Sequence, residues 1–197
     1  MSENKESVWK SGRPWVIGKA AMSLDGKMTR PPGEGQWISG EASRQDVQKL
    51  RAACDGILVG AETARVDNPK LTVRSIELEV QPFRIVVTRS QNLPEGLHLL
   101  TDVFKDRTLV LSNCSWPEIW SQLFERGVRT LLVEGGGSIL NQLAAENWID
   151  ESVIYYAPFN LEGDSLVTAE VFRKLPLTQS TTLVIGEDLK ISGPVKK

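Results

Sequence analysis

The segment from Val133 to Leu143, VEGGGSILNQL, places a carboxylate at the end of an apolar run and follows it with three glycines and a serine that opens a helical pattern. Free backbone N–H groups and the helix dipole favour an anion at such a position. The segment predicts either a pyrophosphate cradle at Gly135, Gly136 and Gly137 or a tight turn that needs glycine for positive φ or close packing. Three consecutive glycines exceed what one turn needs, which favours the anion. The pattern is not the dinucleotide fingerprint, because Leu140 stands where the last glycine is required.

A second possible phosphate seat is Thr88-Arg89-Ser90, which follows the apolar run RIVVT. A guanidinium and two hydroxyls can hold a phosphate monoester such as the adenosine 2′-phosphate of NADP, although a solvated turn fits the same residues. Arg51 lies beside the apolar stripe of a predicted helix, and together with Arg74 it could clamp a substrate phosphate. We expect Arg44, on the same helix, to be an ordinary solvated arginine.

The loop Ser23 to Lys27, SLDGK, follows the first predicted strand, and the proline- and glycine-rich segment PPGEGQW leads from it to the first helix. Such a loop, with Trp37 at its end, could cover a flat ring. It could equally be a surface loop whose tryptophan plugs the core.

Apolar runs alternate with helical patterns along the chain. Strands are predicted at 15–21, 56–61, 84–88, 108–111, 130–134 and 152–157, and helices at 39–54, 117–126 and 138–147. The tail TTLVIGEDLKISG predicts a hairpin around Gly186 to Asp188. This order predicts an α/β fold with three layers: a mostly parallel mixed sheet, helices on both faces and a C-terminal antiparallel hairpin. Ligands of such sheets collect at the carboxyl ends of the strands.

Composition and sequence patterns argue against three classes of function: nucleic-acid binding, membrane spanning and metal binding. The net charge of −2 argues against a nucleic-acid-binding protein, and no apolar run approaches the length of a membrane span. Cys54 and Cys114 form no C-x-x-C pattern, and the single histidine, His98, has no ligand pattern beside it, so we expect no metal. The polar beginning of the chain carries no apolar leader, and a cytoplasmic location is expected.

Taken together, SLDGKM, the run from GEGQWISG to NPKLTVR, and LLVEGGGSILNQL resemble the reductase domain of riboflavin biosynthesis. That domain is the C-terminal half of the bifunctional pyrimidine deaminase–reductase and has the fold of dihydrofolate reductase. The sequence shows no internal repeat, low-complexity linker or composition break, so we expect residues 13–197 to form a single reductase domain after a polar tail of residues 1–12. The resemblance implies a homodimer. It also implies reduction by NADPH of the ribosylamino group of a phosphorylated pyrimidine to the ribitylamino form.

The resemblance also implies roles for individual residues. Met22 and the SLDG segment would border the nicotinamide. Lys19 would hydrogen-bond the pyrimidine and help to polarise the imine, which is the ring-opened form of the sugar that accepts the hydride. Glu134 would contact the sugar hydroxyls near the reacting carbon. The remaining cofactor-binding residues would be Trp37, Thr63, Asp67, Thr88, Arg89, Ser90, Gly135, Gly136, Gly137, Ser138, Ile139, Leu140, Asn141 and Gln142. The remaining substrate-binding residues would be Gly35, Arg51, Asp67, Leu71 and Arg74.

Two departures from the family pattern leave the substrate open. Gly35 replaces a common serine, which would remove one hydroxyl contact to the substrate. The H-x-E and P-C-x-x-C motifs of the zinc deaminase are absent from the sequence, so the substrate is either 5-amino-6-(5-phosphoribosylamino)uracil or its 2,5-diamino precursor. The alternatives are a dihydrofolate-reductase-like enzyme for another pteridine or carbonyl substrate, and a non-catalytic nucleotide-binding homologue.

Overall fold

The strands of the chain lie where the apolar runs predict them. The computed structural model describes residues 3–90, 92–163 and 166–197. Within those ranges the strands are β1 (Trp15–Ser23), β2 (Gly56–Gly60), β3 (Phe83–Thr88), β4 (Thr108–Ser112), β5 (Thr130–Gly135), β6 (Glu151–Ala157), β7 (Thr181–Ile185) and β8 (Asp188–Pro194). Every predicted strand is present, with ends displaced by at most about two residues. The predicted hairpin is also confirmed, since Gly186 and Glu187 join β7 to β8.

The described helices are α1 (Glu3–Lys10), α2 (Glu41–Ala52), α3 (Ala61–Asp67), α4 (His98–Thr101), α5 (Trp116–Glu125) and α6 (Gly137–Ala145). The three predicted helices correspond to α2, α5 and α6. Helix α2 begins two residues later than expected, and the carboxylate of Asp188 accepts a hydrogen bond from the N–H of Gly40 just before it (2.8 Å). Helix α5 begins with a capping box, in which Ser115 and Glu118 bond each other's backbone N–H groups.

Three helices were not predicted, and each is short or polar. Helix α1 occupies most of the segment expected to be a polar tail, and the indole N–H of Trp9 donates to the carbonyl of Arg129 at 2.8 Å. Helix α3 follows β2 directly and ends at Asp67, and its capping residue Asn68 has a left-handed φ of 41°.

The described residues form two compact units that alternate along the chain. The first comprises those of Met1–Val16 and Gln48–Gly136, and the second those of Ile17–Val47 and Gly137–Lys197. The expected single domain over residues 13–197 stays a prediction.

In the first unit, β2 pairs in parallel with both β3 and β5, and β4 pairs in parallel with β3. Strand β2 is buried along its whole length, as expected for the centre of a parallel sheet. Its apolar side chains join a cluster that also contains Ala64, Leu71, Val86 and Leu99. This core packs β2 and β3 against helices α3 and α4.

In the second unit, β1 pairs in parallel with β6, while β8 pairs antiparallel with both β6 and β7. The register places Tyr155 of β6 opposite Lys190 of β8. Parallel pairs therefore outnumber antiparallel ones, and the antiparallel pairs belong to the C-terminal hairpin. This confirms the predicted class of a mostly parallel mixed sheet that ends in an antiparallel hairpin.

Candidate functional site

A buried ion pair lies at the carboxyl end of β5. The Nε of Arg51 donates to Oε1 of Glu134 at 2.6 Å, and Nη2 donates to Oε2 at 2.9 Å, a two-point geometry that is among the strongest hydrogen-bonded pairs in proteins. The side chains expose only 11% and 9% of their surface. Burial alone would lower the pKa of Arg51, but the charge and hydrogen bonds of Glu134 outweigh it and raise the pKa above its ordinary value. The guanidinium therefore keeps its charge in a nearly dry position.

The segment from Leu71 to Arg74 is fixed against helix α2 through its backbone. Arg51 donates from Nη1 to the carbonyl of Thr72 (3.2 Å), and the buried side chain of Gln48 accepts the N–H of Arg74 (2.9 Å). Leu71 is buried, whereas the residue Arg74 is exposed. The structure thus brings Arg51 and Glu134 into direct contact. It holds the backbone at Thr72 and Arg74 against α2, whereas Leu71 joins the apolar cluster around β2. Arg74 thus offers an exposed positive charge on the segment that is bonded to α2, and Arg51 of the same helix forms the buried ion pair with Glu134.

The three glycines join β5 to α6, and local geometry requires glycine in more than one way. Gly135 has a φ of +120°, a conformation that other residues rarely adopt. In the first unit, a Cβ on Gly136 would lie 3.2 Å from the hydroxyl of Thr63. In the second unit, a Cβ on Gly137 would collide with the carbonyl oxygen of Thr168. Turn geometry and close packing therefore account for part of this motif, and the anion cradle stays a prediction.

The residues after the glycines differ in exposure. Leu140 is fully buried, and the side-chain oxygen of Asn141 accepts the N–H groups of Val171 and Phe172 at 2.9 and 3.2 Å. Ser138 and Gln142 are exposed, and Ile139 is half-buried. Of the predicted pyrophosphate contacts, Ser138 and Gln142 are therefore exposed, and Gly136, Ile139 and Asn141 are half-buried.

The other predicted cofactor residues of the first unit lie on α3 and after β3. Thr63 is half-buried and Asp67 exposed. The hydroxyl of Thr88 donates to the carbonyl of Ser90 (2.5 Å) and accepts the N–H of the same residue (3.1 Å), which makes a tight turn. That turn leaves Arg89 and Ser90 exposed, so both the phosphate seat and the solvated turn remain open.

Lys19, in the second unit, lies over an aromatic ring. Its Nζ is 5.9 Å from the centroid of the Tyr155 ring. The Tyr155 hydroxyl donates to the carboxylate of Asp46 (2.8 Å), which also binds the Nζ of Lys190 (2.6 Å). Sequence reasoning missed Asp46, Tyr155 and Lys190, because the register of β6 against β8 brings them together and no local motif does. The contact with the Tyr155 ring therefore gives Lys19 a structural role within β1, whether or not it also contacts the pyrimidine.

The SLDG loop forms a hydrogen-bonded turn. The Ser23 hydroxyl donates to Asp25 (2.5 Å), and the same carboxylate accepts the N–H of Leu161 (2.9 Å). The hydrogen bond from Ser23, followed by that from Leu161, lowers the pKa of Asp25 below its ordinary value. Met22, just before the turn, is fully buried. Side-chain hydrogen bonds thus hold the turn, while its contact with a nicotinamide stays a prediction.

The loop before α2 contains Gly35 and Trp37. Gly35 has a φ of +96°, a conformation in which a serine at this position would be strained. Trp37 does not plug the core, because 58% of its surface is exposed. The alternative in which this tryptophan is a core residue is therefore wrong.

Neither a cluster of three or more histidines, cysteines and acidic residues suited to a metal ion nor a helix long and apolar enough to cross a membrane occurs in residues 3–90, 92–163 and 166–197.

Comparison with known proteins gives consistent matches. The profile of the family described as the RibD C-terminal domain matches residues 14–191. The riboflavin biosynthesis protein RibD of Bacillus amyloliquefaciens is 35% identical over 215 residues, which cover 93% of this chain and 58% of that protein. The 2,5-diamino-6-ribosylamino-4(3H)-pyrimidinone 5′-phosphate reductase of Archaeoglobus fulgidus is 34% identical, with 77% of this chain and 83% of that protein covered. The chain thus spans little more than half of the Bacillus protein.

Solved structures give the same fold. The RibD of Acinetobacter baumannii superposes with a TM-score of 0.82 at 26% identity, over 96% of this chain and 60% of that one. The dihydrofolate reductase of Enterococcus faecalis superposes with a TM-score of 0.58 at 14% identity, over 91% of this chain and 95% of that one. These likenesses confirm the expected dihydrofolate-reductase-like fold.

Proposed function

The chain belongs to the family of RibD C-terminal domains, and from this premise we propose that it is an NADPH-dependent pyrimidine-nucleotide reductase. Its substrate would be 5-amino-6-(5-phosphoribosylamino)uracil or the 2,5-diamino precursor, and its product the ribitylamino compound. The observation that carries the proposal is the buried Arg51–Glu134 pair with the exposed Arg74 beside it. A phosphorylated sugar needs both a cation for its phosphate and an acceptor for its hydroxyls, and this cluster offers both within one unit.

The residues present fit a pyridine nucleotide. The junction of β5 with α6 is made by glycines, so the backbone at Gly136 can approach a phosphate without an intervening side chain. Arg89 and Ser90 are exposed after β3 and suit the additional phosphate that distinguishes NADPH from NADH. When bound, the nicotinamide supplies the hydride, and the protein supplies orientation and charge.

The side chains of this chain have separate tasks in the proposed reaction. Arg74 would bind the substrate phosphate, and Arg51 would hold Glu134 in place while adding positive charge. Glu134 would accept a hydrogen bond from a sugar hydroxyl through an oxygen lone pair that Arg51 does not use. Lys19, over the ring of Tyr155, would hydrogen-bond the pyrimidine. Orientation of this kind is a large part of what enzymes contribute.

The test is an NADPH-oxidation assay at about 340 nm with the two pyrimidine phosphates supplied separately, and with NADH as the second reductant. We expect turnover with one of the two and preference for NADPH. The name of the Archaeoglobus relative specifies the diamino compound, so that compound is the first to try. NADPH binding without turnover on either compound would support a reductase of another substrate, and absence of NADPH binding would contradict the proposal.

Two further expectations accompany the proposal. We propose a homodimer in the cytoplasm. The chain has six tryptophans, and those that are exposed or half-exposed would be available for contact between the two subunits. Sedimentation equilibrium of the purified protein would test the dimer.

A further inference from the structure

Trp37 is largely exposed, yet two arginine side chains contact it. The residue follows the segment PPGEGQ and is 58% exposed. Neighbouring Ile38 and Ser39 are buried, so the backbone enters the protein immediately after the exposed ring. A single exposed apolar side chain is common on protein surfaces. The distinguishing feature of Trp37 is that two arginine side chains contact it.

Arg44 holds the ring of Trp37 from helix α2. Its guanidinium carbon lies 5.4 Å from the ring centroid, and its Nη1 donates to the carbonyl of Ser39 at 2.7 Å. A planar guanidinium with a second, fixed hydrogen bond is a stiff partner for an aromatic face. The expectation that Arg44 is an ordinary solvated arginine is therefore wrong.

Arg30 holds the backbone of the same residue. Its Nε donates to the carbonyl of Trp37 at 2.6 Å, and its guanidinium carbon lies 4.6 Å from the centroid of the Phe159 ring. The loop is thus tied at Trp37 from two directions, one arginine binding the backbone and the other the side chain. Arg44 thus contacts the ring of Trp37 and Arg30 its backbone, while the residue itself stays largely exposed.

We infer that Arg30 and Arg44 are positioning residues that hold Trp37 as a preformed stacking surface for a flat ring of the pyridine nucleotide. This inference rests on the proposed function and extends it to two residues that need not contact the ligand. An aromatic surface that is already fixed loses little conformational freedom when a ring stacks on it, so the gain appears directly in affinity. A loop held only for stability would gain more by burying the indole.

The experiment measures NADPH binding by fluorescence for the wild type, Arg44→Leu, Arg44→Lys, Arg30→Leu and Trp37→Ala. The control is Arg126→Leu, since Arg126 is also an exposed arginine that donates to a backbone carbonyl, that of Gln122. We expect Arg44→Leu and Arg30→Leu to raise the Kd roughly two- to five-fold, Arg44→Lys less, and the control not at all. In a Trp37→Ala background both leucine substitutions are expected to have no further effect. An equal loss with and without Trp37, or no loss in either, overturns the inference.

A second readout needs no ligand. In protein labelled with 5-fluorotryptophan, the fluorine resonance of Trp37, assigned with Trp37→Phe, reports the environment of the ring. We expect Arg44→Leu to move this resonance towards that of a solvated, mobile indole, and Arg126→Leu to leave it in place. An unchanged resonance contradicts the positioning role. If the wild type does not bind NADPH, both the proposed function and NADPH as the ligand of Trp37 are contradicted. The fluorine spectrum then still shows whether the two arginines position the ring.

Discussion

Arg51 and Glu134, 83 residues apart in sequence, form a two-point ion pair with Nε–Oε1 and Nη2–Oε2 distances of 2.6 and 2.9 Å. Both side chains are about nine-tenths buried. Removing one member of such a pair strands the other charge away from water, which costs more than the intact pair contributes. The pair therefore couples the proposed substrate site to the stability of the fold.

We predict that Glu134→Ala lowers the free energy of unfolding by about 3 kcal/mol, because Arg51 would be left charged without its carboxylate. Urea denaturation measures the change. Glu62→Ala is the matched control: Glu62 is 81% exposed and meets Arg65 at 3.4 Å, so its removal is expected to cost less than about 1 kcal/mol. Equal losses in the two variants would show that the buried pair has no special role in stability.

The second prediction concerns Gly137, where α6 begins. A methyl group there would collide with the backbone carbonyl oxygen of Thr168 and lie 3.0 Å from Cγ1 of Val167. Backbone cannot move aside as a flexible side chain can, so Gly137→Ala is expected to destabilise the protein by about 1–3 kcal/mol. Thermal unfolding measures the loss. Gly96→Ala is the control, since a Cβ on Gly96 meets nothing within 4 Å and its φ lies outside the left-handed region; a matching loss there would refute the packing argument.

The strands and the principal helices were predictable because their signals are local. β2 is a buried apolar run, and α5 carries a proline, a capping residue and an apolar face within one short segment. Motifs at the ends of strands, such as the glycines after β5, were located for the same reason. The resemblance supplied roles for their residues that spacing alone does not give.

The contacts that were missed depend on register or on distant segments. Nothing in the sequence near Lys190 indicates Asp46 or Tyr155, which it meets only because β8 pairs with β6 and α2 packs nearby. Arg44 has the spacing of a solvated helix residue, yet it bends back over the loop that precedes its own helix. The glycine motif could be read as an anion cradle or as a turn, and only the neighbouring carbonyl of Thr168 reveals its packing role.

The third prediction concerns pH. The fully buried guanidinium of Arg84 donates a hydrogen bond to the carboxylate of Asp102 at 2.7 Å. This hydrogen bond lowers the pKa of Asp102 below its ordinary value. Since the folded-state pKa lies below the unfolded value of about 3.9, this stabilisation is fully present above that value and is lost as pH falls through the folded pKa. Unfolding free energies of wild type and Asp102→Asn, compared between neutral pH and about pH 3, measure the effect. We expect the difference between the two proteins to shrink in acid; a difference that stays constant with pH would contradict the assignment.

The last prediction concerns Arg74, whose backbone N–H is held by Gln48 while the residue itself is exposed. If Arg74 binds the substrate phosphate, Arg74→Ala removes a charge-assisted hydrogen bond and is expected to raise KM roughly 10- to 100-fold with little change in kcat. The fold should be unaffected, because the substitution keeps the backbone bond to Gln48. The decisive comparison is the dephosphorylated pyrimidine riboside, for which wild type and Arg74→Ala are expected to have the same KM. Arg126→Ala serves as the control for loss of a surface charge. A rise in KM that is equal for the phosphorylated and dephosphorylated compounds would assign Arg74 to a part of the substrate other than its phosphate.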